Sequence, residues 1–199
     1  MEAINTITKG NYKLEIFHDQ SPESPRSWDN LGTMICFHRR YSLGDKHDYN
    51  SNDYSGWDEM EEAIIKNENV AVILPLYLYD HGGITISTSS FSCRWDSAQI
   101  GFIFVSKEKL RKEYNTKRIT KGIIVKATNV LEGEVETCDQ YLTGEVYGYR
   151  VSKISVCNEG HEHSEEVDSC WGYYGEDSVN EEGNSVLDSY VKKEEESVC

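Results

Sequence analysis

The sequence predicts an α+β domain with a mixed or mainly antiparallel sheet, two or three helices and an acidic C-terminal region. Three observations carry this expectation. Short apolar segments at strand period are bounded by turn residues, other segments repeat their apolar residues at helical period, and the two kinds do not alternate as in a doubly wound sheet. A chain of 199 residues fits one domain and buries roughly 70% of its unfolded surface.

Lys13–Phe17 alternates around Leu14, Ile16 and Phe17 as a strand does, and Ser21-Pro22-Glu23-Ser24-Pro25 ends it. Leu31–Phe37 is a second short strand, and the polar stretch from Asp45 to Trp57 is a loop. Asp58–Lys66 places Met60, Ala63 and Ile64 at helical spacing, with Ser55 or Asp58 as its cap. Val70–Tyr79 is a β-branched and aromatic run of the kind found in central strands. His81-Gly82-Gly83 turns it into a paired strand, Ile84–Thr88. Ile100–Val105 leads to Ser106, which caps a helix over Lys107–Tyr114. A longer helix runs from Thr120 to about Leu142, with Ile124, Ala127, Leu131, Val135, Cys138 and Leu142 on one face. Gly144–Ile154 is a late strand, and Ser185–Glu196 a short final helix. The expected division is an α+β core over 1–156 and an acidic region over 157–199 packed on it.

Charge is distributed unevenly. Met1–Leu131 carries 17 acidic against 16 basic residues, whereas Glu132–Cys199 carries 18 against 4 and holds nearly all of the net charge of −15. Lys107–Lys126 runs the other way, with eight basic residues against Glu108 and Glu113. Such asymmetry steers a protein toward basic surfaces and away from free nucleic acid, so no direct nucleic-acid partner is expected. The basic band can contact phosphate, or can be a solvated helix face. Glu132, Glu134, Glu136 and Asp139 can space carboxylates as a nucleic-acid mimic does. No apolar run reaches the roughly 18 residues that cross a bilayer, and the start, MEAINTITKG, has no secretory pattern, so a cytoplasmic location is expected. The six scattered cysteines are then free thiols.

Several clusters have chemical potential. His38, Arg39, Arg40, Asp45 and His47 combine guanidinium groups with imidazoles and suit a phosphate-bearing ligand, joined by Asp80 and His81 after the strongest strand. Turn and strand-end preferences account for the same residues without any chemistry. Cys93-Arg94-Trp95-Asp96 holds either a thiol activated by Arg94 or a cysteine packed near Trp95. Cys157, His161, His163 and Cys170 have the right chemistry for zinc but not the paired spacing of a zinc motif, and no metal or other cofactor is expected. Phosphate-binding loops, dinucleotide fingerprints, serine elbows and H-E-x-x-H are absent, which removes their reactions from consideration. A partner surface is expected on the acidic end, with Glu165, Glu166, Asp168, Glu181 and Glu182 for steering and Trp171, Tyr173 and Tyr174 as anchors.

Three blocks together resemble a family of small proteins of tailed phages and prophages. They are Pro25–Met34 leading into His38–His47; Leu74–Ser92 with Cys93-Arg94-Trp95-Asp96 and Gly101-Phe102-Ile103; and Asp139–Tyr149 followed by Asp168–Gly172. The resemblance implies a phage protein acting in the host cytoplasm as a host-defence antagonist. Its partner would be a nucleic-acid-binding defence protein, such as a CRISPR effector, a restriction enzyme or another immune nuclease. The alternative is a small enzyme acting on a phosphate-bearing or nucleotide-like ligand through the His38–His47 and Asp80-His81 segments.

Overall fold

The computed structural model describes residues 1–93 and 95–198 and shows an α+β chain. In chain order its elements are β1 (Asn5–Lys9), β2 (Tyr12–His18), β3 (Thr33–Cys36), α1 (Trp57–Asn67), β4 (Val70–Asp80), β5 (Ile84–Ser87), β6 (Ser97–Ser106), α2 (Lys107–Glu113), α3 (Lys121–Thr143), β7 (Val146–Val156), β8 (Glu162–Tyr174) and α4 (Glu176–Val198). They form two compact units, residues 24–143 and residues 1–23 with 144–199. The boundary expected after residue 156 matches neither edge, because β8 and α4 complete a sheet begun by the first residues of the chain.

In the unit of residues 24–143 the sheet order is β3-β6-β4-β5, and every pair is antiparallel. Both faces are covered. Met34, Leu76 and Ile103 pack with Leu110 of α2 and with Ala127, Leu131, Val135 and Cys138 of α3, while Ile35, Phe102 and Phe104 pack with Met60 and Ile64 of α1. Two-sided cover explains the unbroken burial of Ile100–Val105 and the interior place of β4. Each fully buried Leu or Ile contributes about 1.5–3 kcal/mol. β3 and β6 approach closely at Gly101, where a Cβ would lie 1.9 Å from the Ile35 carbonyl oxygen. Ser106 caps α2 as expected, accepting from the Lys109 amide at 3.2 Å. Gly56, with no side-chain cap, stands before α1, and Glu59 instead accepts from Ser55 N and Oγ, each at 2.7 Å.

In the other unit the order is β1-β2-β7-β8, again antiparallel throughout. One face, carrying Tyr12, Leu14, Ile16, Tyr149 and Val151, is closed by Val179 and Leu187 of α4. β1 and β8 lie outside the strands expected from the sequence, and the last helix begins at Glu176 rather than Ser185. β8 escapes a periodicity reading because it is an edge strand, exposed through much of its length, and its pairing with β7 shifts register at Tyr147/Gly148 and at Val151/Ser152.

Candidate functional site

The acidic charge belongs to the unit of residues 1–23 and 144–199, which holds 18 acidic and 6 basic residues, a net −12 of the chain's −15. Edge strand β8 offers unpaired backbone groups along one side, and its carboxylates are of the kind that discourage pairing with another neutral strand. Glu165, Glu166, Trp171, Glu181 and Glu182 are exposed. Among the described residues Glu165, Glu181 and Glu182 enter no ion pair, whereas Glu166 meets Arg150 Nε at 2.8 Å.

Trp171 sits on the sheet face opposite α4. It lies flat over Gly148, where a Cβ would come within 2.2 Å of its ring, and stacks on Phe17 at 6.0 Å between centroids. Arg150 covers Phe17 from another side at 5.4 Å. Glycine at 148 therefore makes the seat in which an exposed indole is held without being buried. The remaining expected anchors are taken up by the fold. Asp168 accepts from Tyr149 Oη at 3.4 Å and Tyr190 Oη at 3.5 Å, Tyr173 is half-buried beside Tyr149, and Tyr174 Oη donates to the Glu23 carbonyl. Burial first, and then the Asp168 charge, push the Tyr149 phenol up to about 12.

The helix carboxylates expected to imitate nucleic acid do not do so as a set, because two of the four are structural. Glu134 accepts from the amides of Leu31 at 2.6 Å and Gly32 at 3.0 Å, and Asp139 from Ile86 N at 2.7 Å and Thr85 Oγ1 at 2.6 Å. Glu134 also meets Arg26, whose side chain is only 9% exposed. Arg26 grips Asp45 with two bonds, Nε to Oδ1 at 3.1 Å and Nη2 to Oδ2 at 2.6 Å, and donates to the Gly32 carbonyl at 2.9 Å. Sequence reading missed Arg26, since its partners lie 19 and 108 residues away.

That clamp takes Asp45 out of the expected phosphate cluster, while part of the rest is brought together, the Arg40 amide donating to His38 Nδ1 at 3.3 Å. Arg40 pairs with Asp80, Arg39 is exposed, His38 stacks on Tyr41, and His81 Nδ1 faces Asp96 at 3.5 Å. Only His47 lines the cavity of about 560 Å³ that also holds Tyr49, Glu68 and Lys109. Its Nε2 lies 3.2 Å from the Cys36 carbonyl, and its Nδ1 has no hydrogen-bond partner among the described residues. An isolated imidazole with carboxylates and lysines around it is not an acid–base pair aimed at one reacting atom.

The zinc candidates are also apart. Cys157 and His161 close the β7–β8 turn through a backbone bond of 3.0 Å, His163 stands opposite Ser155, and Cys170 stands opposite Tyr149 far along the strand. No group of three or more His, Cys, Asp or Glu able to hold a metal ion occurs among the described residues. Cys93 Sγ donates to Asp96 at 3.5 Å, and Trp95, expected to pack near it, is 96% exposed. Arg94, the expected activator, lies outside the described residues. No described helix is long and apolar enough to cross a membrane. Comparison with protein-family models, curated proteins and solved structures returned no match.

Proposed function

We propose that the chain is an acidic binding protein that antagonises a nucleic-acid-binding defence protein of a bacterial host, acting in the host cytoplasm and occupying the basic surface that would otherwise hold nucleic acid. The observation that carries the reading is the gathering of net −12 into one small unit, where Glu165, Glu181 and Glu182 enter no ion pair among the described residues and Trp171 is exposed on the sheet face away from α4. Uncompensated charge of one sign raises the rate of encounter with a surface of the opposite sign, while a held aromatic side chain supplies contact energy that rim charges do not. Against the enzyme alternative, Asp45 is taken up by Arg26, and the Arg40 and Asp80 charges pair with each other. The phage origin and the choice of a defence protein as target rest on the three sequence blocks.

The test is affinity capture from lysate of a bacterial host, comparing the native chain with a variant carrying Glu165→Gln, Glu166→Gln, Glu181→Gln, Glu182→Gln and Trp171→Ala. Capture of a nucleic-acid-binding protein by the native chain is expected, weakening with added salt and lost in the variant. Equal capture by both at every salt concentration would show this surface to be the wrong one.

A further inference from the structure

A second charged feature has the opposite sign. Folding brings Lys107 and Arg111 of α2, Lys117 and Arg118 of the α2–α3 connection, and Lys121 at the start of α3 around one open concavity of about 840 Å³. Lys107 and Arg111 are four residues apart and therefore share a face of α2. All five are exposed, none is in an ion pair among the described residues, and no carboxylate lines the space. The chain has 35 acidic residues, and some of its other cations do find carboxylates, as in Lys9–Asp188, Arg40–Asp80 and Lys153–Glu194. Five like charges held together repel one another, and an anion with several charges relieves that repulsion. Beside them the wall is apolar, with Ile119 and Ile124 partly buried and Val125 59% exposed.

We propose that this concavity binds a nucleoside polyphosphate, with the phosphates on the lysines and arginines and the base against Val125. The two guanidinium groups match phosphate oxygens in bidentate fashion, which a single halide cannot exploit. The volume lies within the range of small-ligand sites. A long nucleic acid is disfavoured, because screening at physiological salt confines the patch's field to about 8 Å, and beyond the patch residues 24–143 carry 17 acidic against nine basic residues. The site belongs to residues 24–143 and is independent of the acidic partner surface.

Titration calorimetry of the full chain with ATP, inorganic tripolyphosphate, adenosine and a single-stranded 12-nucleotide DNA decides the matter. ATP is expected to bind with a dissociation constant below about 1 mM, more tightly than the more highly charged tripolyphosphate, with adenosine alone undetected. Arg111→Gln with Arg118→Gln should weaken ATP at least about tenfold, while Lys112→Gln, on the same helix but outside the concavity, should not. Because all three positions are exposed, circular dichroism of the variants should match the native chain. No saturable binding of ATP, or ATP binding indifferent to the double substitution, overturns the site. Tripolyphosphate binding as tightly as ATP overturns the nucleoside assignment, adenosine binding as tightly as ATP overturns the phosphate assignment, and tighter binding of the 12-mer overturns the preference for a small ligand.

Discussion

Replacing Arg26 by methionine tests whether the buried ion cluster holds residues 24–143 together. The substitution keeps length and apolar volume but deletes the two bonds to Asp45, the contact with Glu134 and the bond to the Gly32 carbonyl. Asp45 and Glu134 would then stand 26% and 12% exposed without their cation, though each keeps backbone donors, Met34 N for Asp45 and Leu31 N with Gly32 N for Glu134. Breaking a buried pair from one side costs about 3–5 kcal/mol, and the retained amides favour the lower end, about 3 kcal/mol. Glu134→Gln leaves Arg26 on Asp45 and should cost less, about 1–2 kcal/mol. Urea unfolding followed by far-ultraviolet circular dichroism measures both, and the double substitution should cost less than the two single losses combined because the partners interact. A loss below about 1 kcal/mol for Arg26→Met would place the cluster with solvent-screened surface pairs and refute the reasoning.

Gly101→Ala should destabilise by about 3 kcal/mol in the same assay, because its Cβ would meet the Ile35 carbonyl and β3 must move off β6; a near-native midpoint would contradict that contact. The Tyr149 and Tyr49 phenols are both pushed up from 10.0 to about 12, first by burial and then by Asp168 or Glu68. The folded state therefore holds those protons more tightly, so their contribution to stability is complete below pH 10 and falls as pH rises toward 12; denaturation midpoints unchanged across that window would be inconsistent with it. Burial pushes the thiols of Cys36 and Cys138 up to about 12 and about 11, so iodoacetamide at pH 8 should label exposed Cys170 well before either, as peptide mass spectrometry would read. Gly148→Ala should unseat Trp171 and red-shift its fluorescence with little loss of secondary structure, and an unchanged spectrum would remove the glycine seat.

What the sequence determined by itself is local. Six residues of α3's register were readable in Ile124 through Leu142 because a helix repeats its buried face every three or four residues, and Ser106 announced α2 because a cap acts on amides three positions away. The charge imbalance was equally visible, since it needs only counting. Tertiary structure decided everything that depends on residues distant in the chain. It made Glu134 and Asp139 into acceptors for backbone amides, drew Asp45 into the Arg26 clamp, and paired Arg40 with Asp80 across 40 residues. It also paired β8 with β7, an edge strand whose own period is blurred by two register shifts, and closed the resulting sheet with α4. The same folding turned a basic band spread over two helices and their connection into a single cation-lined concavity. The physical reason is that charge and period are properties of neighbours along the chain, whereas burial, pairing and pocket shape are properties of neighbours in space.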